Sequence, residues 1–193
     1  MPDATAVQAV ATEWQHPMTL DIRQVETFDD AALQAIAEPI FGDAARQQHL
    51  RDLIGPEAAE RHAALRQSLP KVERIRVGAF DGERLVGYSQ GWFEPGGNFY
   101  IGSSAVDPDH RRQGVYTRLL KSIEQAVRER GGISISSQHV ATNNAVLIAK
   151  LRLGYVIAGT EYVDAMGLLV RLMLHLTAER GALFAARTGM LAP

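Results

Sequence analysis

One loop of the sequence carries residue types that bind phosphate. Between Val106 and Thr117 the chain reads VDPDHRRQGVYT, a proline-broken loop with two arginines and a glycine before a helical pattern. The first N–H groups of a helix have no partner inside the helix, and together with the helix dipole they attract anions. Arg111 and Arg112 add charge-assisted donors, and Gly114 lets a ligand approach the backbone closely. The segment predicts a phosphate or pyrophosphate site, although an ordinary strand-to-helix connection with solvent-facing arginines explains the same residues.

Other motifs for phosphate chemistry and catalysis are missing from the sequence. It contains neither Gly-x-x-x-x-Gly-Lys-Ser/Thr nor a Gly-x-Gly-x-x-Gly that opens a helix, which argues against a nucleoside triphosphatase or a dinucleotide-binding domain. The chain has no cysteine, so thiol nucleophiles, disulfides and zinc–thiolate sites are excluded. Its histidines show no metal-ligand spacing, and we therefore expect no metal.

Hydrophobic periodicity predicts the elements that surround this loop. Alternating apolar residues predict strands at about 20–25, 74–79, 85–93, 99–106, 133–140, 155–159 and 168–176. Helical spacing predicts helices at about 30–42, 56–69, 115–131 and 143–154. The order β-α-α-β-β-β-α-β-α-β-β predicts an α/β (α+β) fold, with a mixed, mostly antiparallel central sheet flanked by helices.

The length of 193 residues predicts one domain with short additions at its ends. We assign residues 1–17 to a flexible N-terminal arm, 18–176 to a single domain and 177–193 to a C-terminal tail or short helix. The N-terminal residues lack the pattern of a signal peptide and no apolar run is long enough to span a membrane, so we expect a cytoplasmic protein without a membrane partner. The formal net charge of −2 predicts no nucleic-acid partner.

Two segments of the sequence have a spacing of motifs that is known from one enzyme family. In the first, a strand ends in Val-x-Pro and is followed by Arg-x-x-Gly-x and a helix with Leu119-Leu120 in its second turn. In the second, Asn143-Asn144 follow a strand, and a short helix leads to Leu153-Gly154-Tyr155. The first segment resembles motif A, and the second is similar to motif B, of the GNAT acyl-CoA N-acyltransferases. The resemblance covers roughly residues 74–176, including the order of the elements, and it implies a GNAT-like fold with acetyl-CoA as co-substrate.

The resemblance also implies which residues bind coenzyme A (CoA). In the family, backbone amides of the motif A loop hold the CoA pyrophosphate, and the strand before the loop binds the pantetheine arm. Carried over to this sequence, the implied CoA-binding residues are Ala105, Val106, Arg111, Arg112, Gln113, Gly114, Val115, Tyr116, Thr117, Asn143 and Asn144.

Two positions depart from the family pattern. Tyr116 stands where the family often has a second small residue, so its side chain either points away from the ligand or packs over it. Lys150 stands four residues before Gly154, where many members have the tyrosine that protonates the departing thiolate. Lysine there fits three roles: a proton donor or countercharge for the thiolate, a contact to a coenzyme phosphate, or a solvated surface residue.

The resemblance implies an enzyme that moves an acetyl (acyl) group from acetyl-CoA to a primary amine by direct attack, without a covalent enzyme intermediate. Such an attack needs a base for the amine proton. His139 is the first candidate because imidazole titrates near neutral pH, and a structural role explains it equally well. Glu94 and Glu161 are the alternatives. We take His139 and Lys150 as the candidate catalytic residues.

Other polar and aromatic residues are interpreted from their predicted strands. The serine pairs at 103–104 and 136–137 lie on strands expected to be neighbours, and they either line a wet channel where these strands separate or are ordinary strand residues. Trp92 and Phe93 are assigned to the core rather than to a stacking surface.

The acceptor, a small-molecule or peptide amine, is not identified by the sequence. The helices at about 29–70 and the loop at 161–167 are expected to form its side of the site, and their acidic residues fit either a cationic amine or a solvated surface. The apolar strand at 168–176 and the Ala-rich C-terminal segment offer a homodimer contact. Two other functions compete: a non-catalytic acyl-CoA-binding regulatory module, favoured by Lys150, and a protein that binds RNA or a phosphoprotein through Arg111 and Arg112.

Overall fold

A seven-stranded sheet organises the part of the chain that the structure describes. The computed structural model describes residues 20–163 and 166–189, and the arm predicted for residues 1–17 lies outside them. The strands are β1 Asp21–Gln24, β2 Arg74–Asp81, β3 Arg84–Glu94, β4 Asn98–Val106, β5 Ser134–Val140, β6 Val156–Val163 and β7 Gly167–His175. The helices are α1 Asp30–Phe41, α2 Asp43–Ile54, α3 Pro56–Ser68, α4 Val115–Glu129, α5 Asn144–Arg152 and α6 Ala178–Thr188, with a one-turn 3-10 helix at Pro108–His110.

The strands lie in the order β1-β2-β3-β4-β5-β7-β6. Neighbouring strands are antiparallel except β4 and β5, which run parallel and are connected through α4. A parallel pair needs such a crossover, whereas the antiparallel β2–β3 pair is closed by a tight turn in which Gly82 has a φ of 57°. The predicted α/β (α+β) fold with a mixed, mostly antiparallel sheet is confirmed.

Helix α4 packs the main hydrophobic core against one face of the sheet. Its buried residues, among them Val115 and Leu119, recur at helical spacing and form one apolar stripe. They belong to the same buried cluster as Phe99 of β4 and Ile135 of β5. Leu147 of α5 and Leu153, which follows the helix, are partly buried and pack against this cluster. We call this side of the sheet the helix-covered face.

The opposite side of the sheet is covered by α1 over β3 and β4. Ile36 of α1 forms a second buried cluster there with Tyr88 and Ala105. Phe99 of β4 belongs to the core under α4. Successive strand residues point to opposite faces, so its neighbour Tyr100 lies on the side of α1. We call the rest of this side, from the C-terminal half of β3 over β4, β5 and β7 to β6, the open face.

Three helices, not two, connect β1 to β2. The sequence analysis missed α2, whose residues Asp43–Ile54 have no apolar periodicity. The predicted helix at 56–69 corresponds to α3, which buries none of its side chains. Among the helices of the described residues, none is both long enough and apolar enough to cross a membrane.

The C-terminal strands differ from the prediction in length and in order. β6 continues past the expected end at 159, because Gly159 lies at a register irregularity within the strand rather than at its end. Glu161 therefore lies in a strand and not in a loop. β7 lies between β5 and β6, so both of its edges are already paired. The homodimer contact through 168–176 stays a prediction, and pairing at a strand edge of β7 cannot supply it.

Candidate active site

β4 and β5 separate after a short parallel contact. Their pairing ends at Tyr100 and Ser136, although β4 continues to Val106 and β5 to Val140. Each strand of a sheet presents backbone N–H and C=O groups to its neighbour, and such groups need partners. The separation therefore leaves two facing strand edges that can accept another extended chain.

A cavity of about 500 Å³ lies between the end of β4 and the start of α4. The N–H groups of Val115, Tyr116 and Thr117 precede the first hydrogen bond of the helix, which Arg118 donates to the Gly114 carbonyl. No side chain within the described residues caps this helix. All three residues with free N–H groups line the cavity, so its wall carries unpaired donors at the positive end of the helix dipole, an arrangement that suits an anion.

Most residues implied to bind CoA lie at this cavity. Those that line it are Ala105, Val106, Arg111, Arg112, Gly114, Val115, Tyr116, Thr117 and Asn143. Gln113 does not, since its Nε2 donates to the Asp109 carbonyl at 3.0 Å within the loop. Asn144 is exposed in the first turn of α5 and is also outside the lining.

The cavity has lining residues that the sequence analysis did not name. They are Ile40, His110, Ala145, Val146 and Ala149, whereas Ser104, also in the lining, belongs to a serine pair that the sequence analysis named. Ala145 and Ala149 are one helical turn apart, and that spacing of small residues is a signal that could have been found. Nothing in the sequence links Ile40 of α1 to a site about 70 residues later.

Hydrogen bonds within the loop fix the shape of the cavity wall. Arg111 Nε donates to the Val106 carbonyl at 3.0 Å, which ties the loop to the end of β4. Arg84 donates to the Asp107 carboxylate at 2.6 Å, and that carboxylate also accepts from the Asp109 N–H at 3.0 Å. Arg111 is thus partly committed to the loop, whereas Arg112 is exposed beside the cavity.

Two loop residues adopt left-handed backbone conformations. Arg112 has a φ of 60° and Gly114 a φ of 77°. A Cβ added to Gly114 would meet nothing within 4 Å, so glycine is favoured there by its backbone conformation and not by lack of space. At Arg112 the chain accepts the same conformation with a side chain, which costs roughly 1–2 kcal/mol.

Asn143 joins the cavity to α5. Its side chain caps the helix by accepting from the Val146 N–H at 3.3 Å. The cap fixes where α5 begins and hence the position of Lys150, two turns further along. Asn143 thus has a structural role whether or not it contacts a ligand.

Lys150 is wholly buried on the helix-covered face. Its Nζ donates to the Ser137 Oγ at 2.7 Å and lies 4.6 Å from the centre of the Tyr155 ring. Burial lowers the pKa of Lys150 to about 7, because the charged form is desolvated. A solvated surface position is therefore excluded, and near neutral pH the side chain exists in both protonation states.

His139 lies near Lys150, because both side chains contact the Ser137 hydroxyl. Its Nε2 is 2.9 Å from the Ser137 Oγ, so Ser137 connects the two candidate catalytic residues. Burial and then the charge of Lys150 lower the pKa of His139 to about 4. The imidazole is neutral at pH 7 and is a weak base.

The two alternative bases lie on the open face. Glu94 accepts from Asn98 Nδ2 at 2.6 Å, and Glu161 accepts from Gln138. Trp92 is on this side too, half-buried with its ring centre 5.0 Å from that of Tyr100. Its assignment to the core is wrong, because Trp92 alternates with the residues of β3 that face α4.

The predicted serine pairs are divided between the two faces. Ser136 accepts from Asn98 Nδ2 at 2.8 Å on the open face, whereas Ser137 accepts from Lys150 on the other. Ser104 is bonded to Ser89 at 2.8 Å and lines the cavity. These hydroxyls lie where β4 and β5 separate, with hydrogen-bond partners within the sheet.

Comparison with known families decides the classification. The sequence model of the Acetyltransferase (GNAT) family matches residues 42–155, which is more than half of the chain. This chain belongs to the acetyltransferase (GNAT) family. A search among curated proteins found no match.

Solved structures of other acetyltransferases share the fold of this GNAT acetyltransferase. The ribosomal-protein-S18-alanine N-acetyltransferase of Escherichia coli is 17% identical with a TM-score of 0.59, over 82% of this chain and 94% of that one. An aminoglycoside 6'-N-acetyltransferase complexed with coenzyme A is 17% identical with a TM-score of 0.58, over 81% and 97%. An IAA acetyltransferase from Bacillus cereus is 12% identical with a TM-score of 0.57, over 81% and 99%. At these identities the likeness concerns the fold.

Proposed function

We propose that this GNAT acetyltransferase transfers an acetyl (acyl) group from acetyl-CoA to a primary amine by direct attack. The observation that carries the proposal is the cavity at the uncapped start of α4, which adjoins the opening between β4 and β5. A diphosphate fits the free N–H groups of α4, and an extended amide-containing arm fits the edge of β4 near Ala105 and Val106, which β5 leaves unpaired. Arg112 adds a charged donor at the mouth of the cavity.

The reaction depends more on how the protein positions the amine and the thioester than on a reactive side chain. The neutral amine attacks the thioester carbonyl, the C–N bond forms, the C–S bond breaks, and the sulfur leaves as a thiolate. Holding two bound reactants in line supplies roughly 7–11 kcal/mol of the barrier. No nucleophilic side chain is required, which agrees with a chain that has no cysteine.

Lys150 is the proposed proton donor to the departing thiolate. It occupies the family's tyrosine position, and with a pKa of about 7 it is protonated in a large fraction of molecules at neutral pH. The Lys150 Nζ donates to the Ser137 Oγ at 2.7 Å. The same hydroxyl is hydrogen-bonded to the His139 Nε2, as donor or acceptor according to the tautomer of the imidazole. In this proposal Ser137 and His139 position Lys150 and carry its proton, while the amine proton goes to another group.

A non-catalytic CoA-binding module is the second candidate. It is favoured by the absence of the family's tyrosine at Lys150 and by the low pKa of His139, which leaves the helix-covered face without a strong base. The two candidates agree about CoA binding and differ about turnover.

Calorimetric titration with acetyl-CoA tests the binding step. Wild-type protein is expected to bind in the micromolar range, about −8 kcal/mol. Gly114→Asp places a carboxylate at the free N–H groups of α4 and should abolish binding. Gly131→Asp is the matched control, because Gly131 has a φ of 75°, equally open surroundings and a place at the far end of α4. Equal affinities for both variants would refute the proposed CoA site.

Release of free thiol from acetyl-CoA in the presence of primary amines tests the second step. Amine-dependent thiol release, with an acetylated amine detected by mass spectrometry, supports the enzyme. Tight acetyl-CoA binding without turnover on any amine of a broad panel supports the non-catalytic module.

A further inference from the structure

A second row of hydrogen bonds crosses the open face at the level where β4 and β5 separate. Tyr100 Oη donates to Gln138 Oε1 at 3.0 Å, and Gln138 Nε2 donates to Glu161 Oε2. The row runs from β4 over β5 and across β7 to β6. Successive residues of β5 point to opposite faces, so this row and the row of Lys150 lie on the two sides of the same strand separation.

Glu94 is already engaged by neighbouring side chains. Asn98 Nδ2 donates to its Oε2 at 2.6 Å, and Arg171 Nη2 lies 3.8 Å from the same oxygen. Arg171 stands opposite Gln138 in the β5–β7 register, so the guanidinium lies beside the row. The charges of Glu94 and Arg171 therefore offset each other on this face.

In the part of the chain that the structure describes, Glu161 has no charged partner comparable to the Glu94–Arg171 pair, so its negative charge is not offset. Its carboxylate is exposed, and within the described residues its hydrogen-bond partner is the neutral amide of Gln138. No Lys or Arg among those residues lies within ion-pair distance of it. Glu94 and Arg171 offset each other, and the Arg74 guanidinium lies over the Trp92 ring at 5.3 Å. Over the described part of this face, the unpaired negative charge is therefore that of Glu161 alone, which suits one ammonium group at this position.

Two aromatic rings, those of Tyr100 and Trp92, continue the row of hydrogen bonds beyond Gln138. The rings of Trp92 and Tyr100 are tilted by 47° with centres 5.0 Å apart. Trp92 lies flat enough on β4 that a Cβ at Gly102 would come within 2.5 Å of its ring. The Arg74 guanidinium already lies 5.3 Å from the centre of the Trp92 ring, so the two rings offer a surface for the apolar part of a ligand, while the Glu161 carboxylate takes the ammonium.

We propose that the open face binds the acceptor as an amine with a single positive charge and an apolar group, its ammonium on the Glu161 carboxylate and its apolar group on Trp92 and Tyr100. Glu161 is also the base, and Gln138 is a positioning residue that holds its carboxylate. This inference rests on the proposed acetyl transfer for the fate of the amine, and the binding itself is measurable without transfer.

The protons balance across the two faces. Glu161 takes one N–H proton from the ammonium, and the neutral nitrogen attacks the thioester from the open face. As the C–S bond breaks, Lys150 protonates the thiolate from the helix-covered face. The nitrogen loses its second proton to water as the amide forms, Glu161 returns its proton to water, and Lys150 regains one. One proton is released in total for each amide formed.

Trp92 fluorescence provides a readout that does not depend on transfer. The chain has two tryptophans, so Trp14→Phe leaves Trp92 as the sole emitter. In this background we would titrate phenethylamine, its uncharged analogue phenethyl alcohol, the amino acid phenylalanine and the polycation spermidine. Phenethylamine is expected to change the emission saturably and to bind about tenfold tighter than each of the other three, as expected for a charge-assisted contact beside an apolar wall.

Glu161→Gln keeps the shape of the side chain and removes its charge. It should weaken phenethylamine binding about tenfold and leave phenethyl alcohol unchanged. Glu83→Gln in the β2–β3 turn is the control and should change neither. Equal phenethylamine affinities for Glu161→Gln and Glu83→Gln would overturn the proposal. The proposal would also be overturned if phenylalanine bound more tightly than phenethylamine, because Arg171 would then hold the ligand. It would be overturned as well if spermidine bound more tightly, or if no probe bound.

Kinetics separates this inference from the proposed function. If acetyl-CoA binds and amines turn over, Glu161→Gln should lower kcat/KM for phenethylamine while the calorimetric affinity for acetyl-CoA stays the same. Turnover with an unchanged kcat/KM would refute the role of Glu161 and leave the transferase intact. Amine binding without acetyl-CoA binding would refute the transferase and leave the cation site intact.

Discussion

At the scale of single residues, Lys150 is the most informative side chain. The sequence identified its position through the family pattern but left three roles open, because burial of one lysine depends on how α5 packs against β5 and β7. The structure places it wholly inside the protein, on Ser137 and against Tyr155. A lysine there is a proton donor whose strength is set by desolvation, whereas tyrosine is a neutral donor at any ordinary pH.

This difference predicts a pH profile specific to this enzyme. If protonated Lys150 assists the departing thiolate, kcat falls as pH rises through about 7, the pKa of Lys150. The titratable side chains next to Lys150 are His139 and Tyr155, and Tyr116 interacts with Tyr155. Burial lowers the pKa of His139, which keeps it neutral, and raises the pKa of both tyrosines. Lys150→Tyr should move the alkaline limb of kcat to higher pH, since tyrosine ordinarily titrates near about 10.

The measurement is kcat between pH 6 and 10 at saturating amine and acetyl-CoA. Lys150→Met serves as the comparison, because it fills similar volume without a proton to give. An alkaline limb at the same pH in all three proteins would assign that limb to another group.

At the scale of elements, the loop before α4 separates a structural arginine from a free one. Arg111 has an extended φ of −72° and donates to the Val106 carbonyl, whereas Arg112 has a φ of 60° and lines the cavity. The sequence treats the two as equivalent, because side-chain identity does not reveal which residue takes the left-handed conformation. Their substitution by glycine should therefore have opposite effects on stability.

Arg112→Gly should raise the free energy of unfolding by about 1 kcal/mol, because glycine relieves the strain of a left-handed residue. It should weaken acetyl-CoA binding at the same time, by removing a charged donor. Arg111→Gly should lower the free energy of unfolding, because it loses the bond to Val106 and loosens the loop. Urea unfolding and calorimetry on both variants check this, and a loss of stability in Arg112→Gly equal to that in Arg111→Gly would contradict it.

The helices between β1 and β2 show where apolar periodicity fails as a guide to secondary structure. α4 was predicted correctly because its buried residues recur at helical spacing. α2 was missed because the sequence of Asp43–Ile54 has no apolar periodicity, and α3 is helical although all its side chains stay outside the core. β6 was predicted too short because Gly159, a common end signal, lies inside it. Elements that do not pack on the core leave little trace in apolar spacing.

At the scale of the whole molecule, the opening between β4 and β5 is reached from both faces of the sheet, with the Lys150 side chain on one face and the Gln138–Glu161 pair on the other. The sequence predicted the strands and their mixed directions, but not that β7 inserts between β5 and β6. That order follows from pairings between distant segments, which no local pattern encodes. It brings Glu161 of β6 to Gln138 of β5 across β7, so the acceptor site proposed above emerges only from the assembled sheet.

Burial of Lys150 also makes the stability of the whole domain depend on pH. Its pKa is lowered from 10.5 in the unfolded chain to about 7 in the folded one, so the unfolded state binds more protons between these values. The free energy of unfolding should therefore rise with pH from about 7 towards 10 and be lowest below 7. The cost at low pH is at most about 5 kcal/mol for a fully buried group.

Lys150→Met should remove this dependence and stabilise the protein at neutral pH. Urea unfolding at pH 6.5, 7.5, 8.5 and 9.5 measures it on the wild type and the variant. Glu83→Gln is again the control, since it exchanges an exposed turn residue. Parallel pH profiles for wild type and Lys150→Met would show that Lys150 does not titrate differently in the two states.

The insertion of β7 has a consequence for synthesis on the ribosome. β6 meets the rest of the sheet through β7, and β5 has no second neighbour until β7 arrives. Translation therefore delivers β6 before the strand that anchors it, and the growing chain carries an unpaired edge on β5 until Gly167–His175 has emerged. A transcript truncated before that segment would yield a chain missing β7, with β6 unanchored and Glu161 detached from Gln138.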